Sequence, residues 1–207
     1  AAPLVAALVR GAEPPLRVAA AAVAQALGDP RGDIPYAWLA GLYAEAAGRG
    51  LTEVTALLVS PPPQRAYREP RDRSDPRLAS LTLGHKKALA RAQRDPDLLA
   101  RLAAEGEPVV VRELLRNPQL TEDFVVRIAS RRPCRPETLR CIFEARRWRT
   151  RSAVALAVVR NPYAAPAIAL ELLSGLGATD LRDISRDATL HPLVRAVAAR
   201  LAALRRP

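Results

Sequence analysis

The triplet Arg-Asn-Pro occurs twice, as Arg116-Asn117-Pro118 and Arg160-Asn161-Pro162, forty-four residues apart, each time closing one apolar run ahead of another. Proline lacks the backbone N–H and clashes with the preceding turn, so no helix continues through such a triplet. Asparagine folds its side chain onto nearby backbone, and an arginine in the last turn meets the negative helix end. A chain punctuated this way is confined to short helices joined by tight polar turns. Arg94-Asp95-Pro96, Arg131-Arg132-Pro133 and Arg186-Asp187-Ala188 extend the series, with steps of 22, 15, 29 and 26 residues between successive stops. The spacing is that of an irregular repeat.

Each stop is followed by an apolar face at helical spacing. The faces are Leu98, Leu99 and Leu102; Phe124, Val125, Ile128 and Ala129; Leu139, Ile142 and Phe143; and Ile168, Leu172 and Leu173. One short helix cannot bury such a face alone, so neighbours must stack. The first sixty residues use related punctuation. Pro3 and Gly11, then Pro15 and Gly28, bracket two runs. Asp33 as N-cap and Pro35 just inside then open a third, carrying Trp38, Leu39, Leu42, Tyr43 and Ala46, and a fourth ends at Pro61. Between the halves, residues 61–77 contain five Pro, five Arg and three acids, with no aliphatic residue larger than Ala. That composition predicts an exposed, semi-extended linker. The expected organisation is therefore an N-terminal helical part over 1–60, a Pro/Arg-rich linker over 61–77 and a helical repeat domain over 78–207. With 49% apolar residues, 4% aromatic and no Met, the core should be aliphatic and Ala-lined, as closely packed helices prefer, and the fold all-α.

The stretch of about residues 85–205, with its "RNP" joints ahead of Leu-rich helices, resembles bacterial leucine-rich-repeat-variant and HEAT-like α-solenoid repeat proteins. The resemblance implies an irregular HEAT-like α-solenoid, a right-handed superhelix of short helices, with a binding role. Some leucine-rich-repeat-variant proteins carry an N-terminal Cys-ligated iron–sulfur cluster. This chain has no Cys before Cys134, so the implication does not extend to that cofactor.

Little in the chain points to catalysis. His85 and His191 have no local partners that would make a catalytic or metal-binding pattern, and His191 before Pro192 reads as a helix start. Glycine-rich phosphate loops are absent, and Ser130, Ser152, Ser174 and Ser185 lack a nucleophile-elbow context. Asp180 and Asp183 fit better as charges near a helix start. Two Cys cannot complete a metal site, and Cys134 precedes the helix opened by Pro136 while Cys141 lies more than a turn inside it, too far apart for a disulfide, which favours a reducing, cytoplasmic setting. No catalytic residue, metal or cofactor is expected. The Ala-rich opening is broken by Arg10, Glu13 and Pro14-Pro15, and no run of eighteen apolar residues exists, so no transmembrane segment is expected.

Charge is the remaining signal. The net charge is +11, and residues 61–207 carry twenty-eight basic against sixteen acidic side chains. The densest block, Arg127 to Arg160, has ten Arg and two acids, Glu137 and Glu144. Arg131, Arg132, Arg135, Arg146, Arg149 and Arg151 have no acidic neighbour in the sequence suited to pair with them. Together with Arg147 and Trp148 they form the candidate partner-binding set. Guanidinium groups bind carboxylate and phosphate in forked geometry, and an exposed indole stacks on a base or covers an apolar anchor. The alternative is structural: Arg140, Glu144 and Arg147 share a helical face and partly neutralise one another, and Trp148 plugs a joint. The function expected is a non-enzymatic scaffold for an acidic protein partner, with nucleic-acid binding through the phosphate backbone as the alternative.

Overall fold

The computed structural model describes residues 36–69 and 75–205. The helices expected before Tyr36, the cap at Asp33 and Pro35, the Trp38 side chain and the middle of the 61–77 segment lie outside the described residues. Those residues form twelve helices and no strand. The helices are α1 (Tyr36–Gly48), α2 (Thr52–Leu58), α3 (Leu83–Ala92), α4 (Pro96–Glu105), α5 (Pro108–Leu114), α6 (Glu122–Ser130), α7 (Pro136–Glu144), α8 (Arg146–Arg149), α9 (Ser152–Val159), α10 (Pro166–Leu173), α11 (Ala178–Arg186) and α12 (Pro192–Leu204). None of them is long and apolar enough to cross a membrane.

Local chemistry sets the boundaries. Pro occupies the first turn of α4, α5, α7, α10 and α12, where its missing N–H costs nothing. Thr82 and Thr121 accept from the backbone N–H of His85 and Phe124 as N-caps of α3 and α6. His191 caps α12 through its ring, Nδ1 accepting from the Leu193 N–H at 3.2 Å. Gly106 ends α4 in the left-handed region, at φ 65°, where a side chain would be strained.

The described residues of Ala1–Gln64 and Ala165–Pro207 cluster into one compact unit, and those of Arg65–Ala164 into another. In this second, central unit two helix groups follow the same plan. In the first, α3 packs on α5, with α4 between them in sequence; in the second, α6 packs on α9, with α7 and the single turn α8 intervening. Of the faces expected from the sequence, Leu99, Leu102, Phe124, Val125, Ile128, Leu139 and Ile142 are all at or below 8% exposure, whereas Leu98 and Phe143 are half-buried at the edges. Each fully buried Leu or Ile side chain contributes about 1.5–3 kcal/mol relative to exposure. In the other unit α10 packs on both α2 and α12, and α12 on α11. There Arg200 donates to Glu53, and the Ser60 hydroxyl accepts the Ala167 N–H.

Side chains arriving from later in the chain close the helix groups. The Asn117 amide nitrogen, buried after α5, donates to Ala90 O and Gln93 O, both at 2.9 Å, satisfying carbonyls at the open end of α3. Asn161, buried after α9, does the same for α6, donating to Ala129 O at 2.7 Å and Arg131 O at 3.0 Å. Both side-chain oxygens accept a backbone N–H two residues on, from Gln119 and Tyr163. The doubled triplet is thus more than a stop, because each asparagine joins the end of one helix to the end of its packing partner. In the other unit, Arg205 after α12 donates to Ser174 O at the end of α10.

Candidate functional site

Between the end of α6 and the start of α9 the candidate arginines fall into separate places, all within the central unit. Arg131 and Arg132 are exposed just beyond α6. The Arg131 carbonyl is held by Asn161, and the Arg132 guanidinium donates to Arg160 O at 2.6 Å, so both sit at the second joint. Arg135 lies at the entrance to α7, 22% exposed, and bonds Glu107 and Glu69, each at 2.6 Å, with the Tyr67 ring 6.0 Å away. Burial works against its charge, but Glu69, Tyr67 and Glu107 outweigh it and raise its pKa. These acids are 66 and 28 residues distant, so sequence proximity gave no hint of them. The same contacts, with the Arg65 N–H donating to Pro162 O at 3.0 Å, hold the extended stretch 65–69 on this unit.

Trp148 is 3% exposed, and its indole N–H donates to Leu115 O at 2.8 Å. Of its two readings, the joint plug is what the geometry supports: the ring closes the end of α5 and offers no face to a base. The Arg147 guanidinium lies over it at 4.5 Å, and Arg149 lies over Phe143 at 5.3 Å. Arg151 approaches Glu122 at 3.7 Å, in the first turn of α6, whereas Arg131 and Arg132 follow its last turn. A helix of nine residues is about 13 Å long, so the candidate set is spread along α6 and does not converge on one point. The mutual neutralisation of Arg140, Glu144 and Arg147 is not what forms. Glu144 pairs instead with Arg112 of α5, at 3.5 Å.

The source of the surplus charge is now visible. Residues 65–164 contain twenty-two basic and twelve acidic side chains, so this unit carries +10 of the chain's +11. Eight of its carboxylates, those of Glu69, Asp75, Asp97, Glu105, Glu107, Glu113, Glu122 and Glu144, are already in ion pairs within the unit. Arg127, Arg140, Arg146 and Arg147 are exposed and form no such pair. Arg127 belongs to a feature missed in the sequence. With Arg131, Phe124 and Ile128 it meets Ala100 and Ala103 of α4 around an open groove of about 130 Å³. The i, i+4 spacing of Arg127 and Arg131 was readable, but the two alanines opposite were not.

The remaining polar side chains serve local structure. The Ser174 and Ser185 hydroxyls donate to backbone carbonyls one turn back, and Arg182 donates to Ala178 O and Thr179 Oγ1. Cys134 and Cys141 are free and buried, and burial raises the Cys141 pKa against the opposing effect of Arg112. Among the described residues no three His, Cys, Asp or Glu side chains gather as a metal site would require. Comparison with family models, curated proteins and solved structures found no match for this chain.

Proposed function

We propose that this protein is a non-enzymatic HEAT-like α-solenoid scaffold, in which the central unit holds an acidic protein partner through its arginine surface. The observation that carries the reading is the state of the charges. The unit's carboxylates are largely consumed in ion pairs, while Arg127, Arg140, Arg146 and Arg147 stay exposed and unpaired along α6 to α8. Unpaired guanidiniums on a rigid helical frame favour carboxylates at the rim of an interface and speed encounter with acidic partners. The solenoid part of the reading is supported by the repetition of one plan, in which first and last helices pack and an asparagine ties their ends. The resemblance to leucine-rich-repeat-variant and HEAT-like proteins is consistent with that plan.

Nucleic-acid binding is the second reading, and the spread of cations along α6 favours it, since a phosphate backbone is itself extended. Against it, the rings of Tyr67, Phe124, Phe143 and Trp148 each lie beneath an arginine instead of being presented to bases. The triple variant Arg140→Glu, Arg146→Glu, Arg147→Glu separates the two. Its melting temperature should stay close to the parent's, because exposed arginines without ion pairs contribute little to stability. At physiological salt, a labelled Asp/Glu peptide should bind the parent better than random single-stranded or duplex DNA, and lose at least about tenfold on the variant. Tighter binding to DNA, with a salt slope that flattens by about one unit per phosphate contact removed, would replace the protein-partner reading with the nucleic-acid one.

A further inference from the structure

The extended stretch 65–69 lies on the central unit as a bound peptide would. One backbone hydrogen bond, from the Arg65 N–H to Pro162 O at 3.0 Å, fixes its start. Arg135 takes its other end, donating through Nη2 to Glu69 Oε1 at 2.6 Å, with the Tyr67 ring 6.0 Å from the guanidinium. Residues two apart in an extended chain share a side, so Tyr67 and Glu69 meet the same arginine while Arg68 between them stays exposed. Little else holds the stretch: Ala66 is exposed, Tyr67 is half-buried, and the Glu69 side chain keeps 58% of its surface in solvent. A segment with so few buried contacts belongs to the part of a fold that opens most readily.

The Arg135 guanidinium is engaged unequally on its two sides. Nη1 donates to Glu107 Oε2 at 2.6 Å, a carboxylate fixed at the N-cap of α5. The edge formed by Nε and Nη2 is the one that grips a carboxylate with two parallel N–H groups. Glu69 uses half of it: Nη2 is bonded, while Nε is buried and finds no acceptor among the described residues. A buried donor left unbonded costs more than a typical bond contributes, so the contact with Glu69 is incomplete. We infer that the Nε–Nη2 edge of Arg135 is a carboxylate-docking point filled in cis by Glu69, and that an extended acidic segment of the partner takes it with both oxygens and lifts the 65–69 strap away. The inference rests on the acidic-partner reading and adds the partner's line of entry, which the strap itself traces from Pro162 O to Arg135. Proximity favours the strap, whose effective concentration is on the order of millimolar. Two parallel charge-assisted bonds in place of one offset that advantage.

The test pairs fluorescence anisotropy of a labelled ten-residue Asp/Glu peptide with amide hydrogen exchange at Arg65, read by NMR, whose N–H reports whether the strap is seated. In Glu69→Gln, Arg65 should exchange faster and the full chain should bind the peptide at least about threefold more tightly, the effect of removing one partly exposed ion pair from the competing state. Glu137→Gln removes an exposed acid two residues from Arg135 and should shift affinity by less than about 1.5-fold. In the parent, saturating peptide should speed exchange at Arg65. If the peptide binds but either Glu69→Gln binds it no better than the parent or Arg65 exchange does not respond to it, the strap inference is overturned and the acidic-partner reading survives. A gain in Glu69→Gln that Glu137→Gln matches also overturns it, since net charge alone then explains the gain. If the peptide binds neither the parent nor Glu69→Gln, both are overturned.

Discussion

The joints at Asn117 and Asn161 differ from those at Asp95 and Asp187 by one side-chain atom in their key residue, and the consequences diverge. All four oxygens accept a backbone N–H two residues on, from Asp97, Gln119, Tyr163 and Thr189. That shared turn explains why any of the four sequences stops a helix. Only the amides can also donate, and only they are buried, at 1% and 2% exposure, bridging to carbonyls of the partner helix. An aspartate makes the turn, and at Asp187 also accepts the Thr189 hydroxyl at 2.6 Å, but it has no N–H to give a carbonyl. The joint thus encodes two separate things: the stop, which all four make with a side-chain oxygen and three reinforce with proline, and the closure of a helix group, which needs a donor.

Asn117→Asp or Asn161→Asp should break the comparison most severely. Each keeps the turn but sets a carboxylate against two carbonyl oxygens in a buried site, with an expected loss of about 3–5 kcal/mol in urea unfolding. A loss below about 1 kcal/mol would mean the amide bonds contribute little and that the joints differ only in appearance.

An intermediate effect should distinguish the two asparagine joints from each other. Arg116 of the first joint reaches Glu113 at 3.3 Å, and Arg91 of α3 bonds the same carboxylate at 2.6 Å; the position three residues before Arg160 is Ala157. Hydrogen bonding from Arg91 holds the Glu113 carboxyl below its ordinary value of 4.5, against the opposing effect of burial. A carboxyl whose pKa is depressed by folding contributes stability that is complete above 4.5 and is lost as pH falls through its folded value. Stability measured from pH 7 downward should therefore decline below that point in the parent. In Glu113→Gln it should start lower and decline less steeply. Curves of equal steepness would show that this pair does not couple the first joint to pH.

The smallest effect is expected at the other joint type. Asp95→Asn retains the accepting oxygen, and its added donor meets water, so stability should stay within about 0.5 kcal/mol. A larger gain would show that an exposed joint is able to form the tie after all.

Features set by near neighbours were legible in the sequence. The stops at Pro96, Pro118 and Pro162, the cap at His191 and the buried faces of α6 and α10 follow from periodicity and from which residues cannot continue a helix. Partners distant in the chain were not. Arg135 finds its acids at Glu69 and Glu107, Glu144 turns to Arg112, and Trp148 reaches Leu115 O across 33 residues. Nothing in the spacing of a charged run says which of its members an earlier helix will neutralise. A signal for the asparagine ties did exist: asparagine stands twice between the same neighbours where sister joints carry aspartate, and a buried donor is the one task aspartate cannot perform.

The long reach of those ties also bears on how the chain emerges during synthesis. The carbonyls at the end of α3 are 24 and 27 residues upstream of Asn117, and those of α6 are 30 and 32 upstream of Asn161. At ~5–20 residues per second, each helix end waits on the order of one to six seconds for the residue that completes it. During that interval water, or a chaperone, must satisfy those carbonyls. Each arriving asparagine then acts as a checkpoint, locking a finished group before the next has left the ribosome.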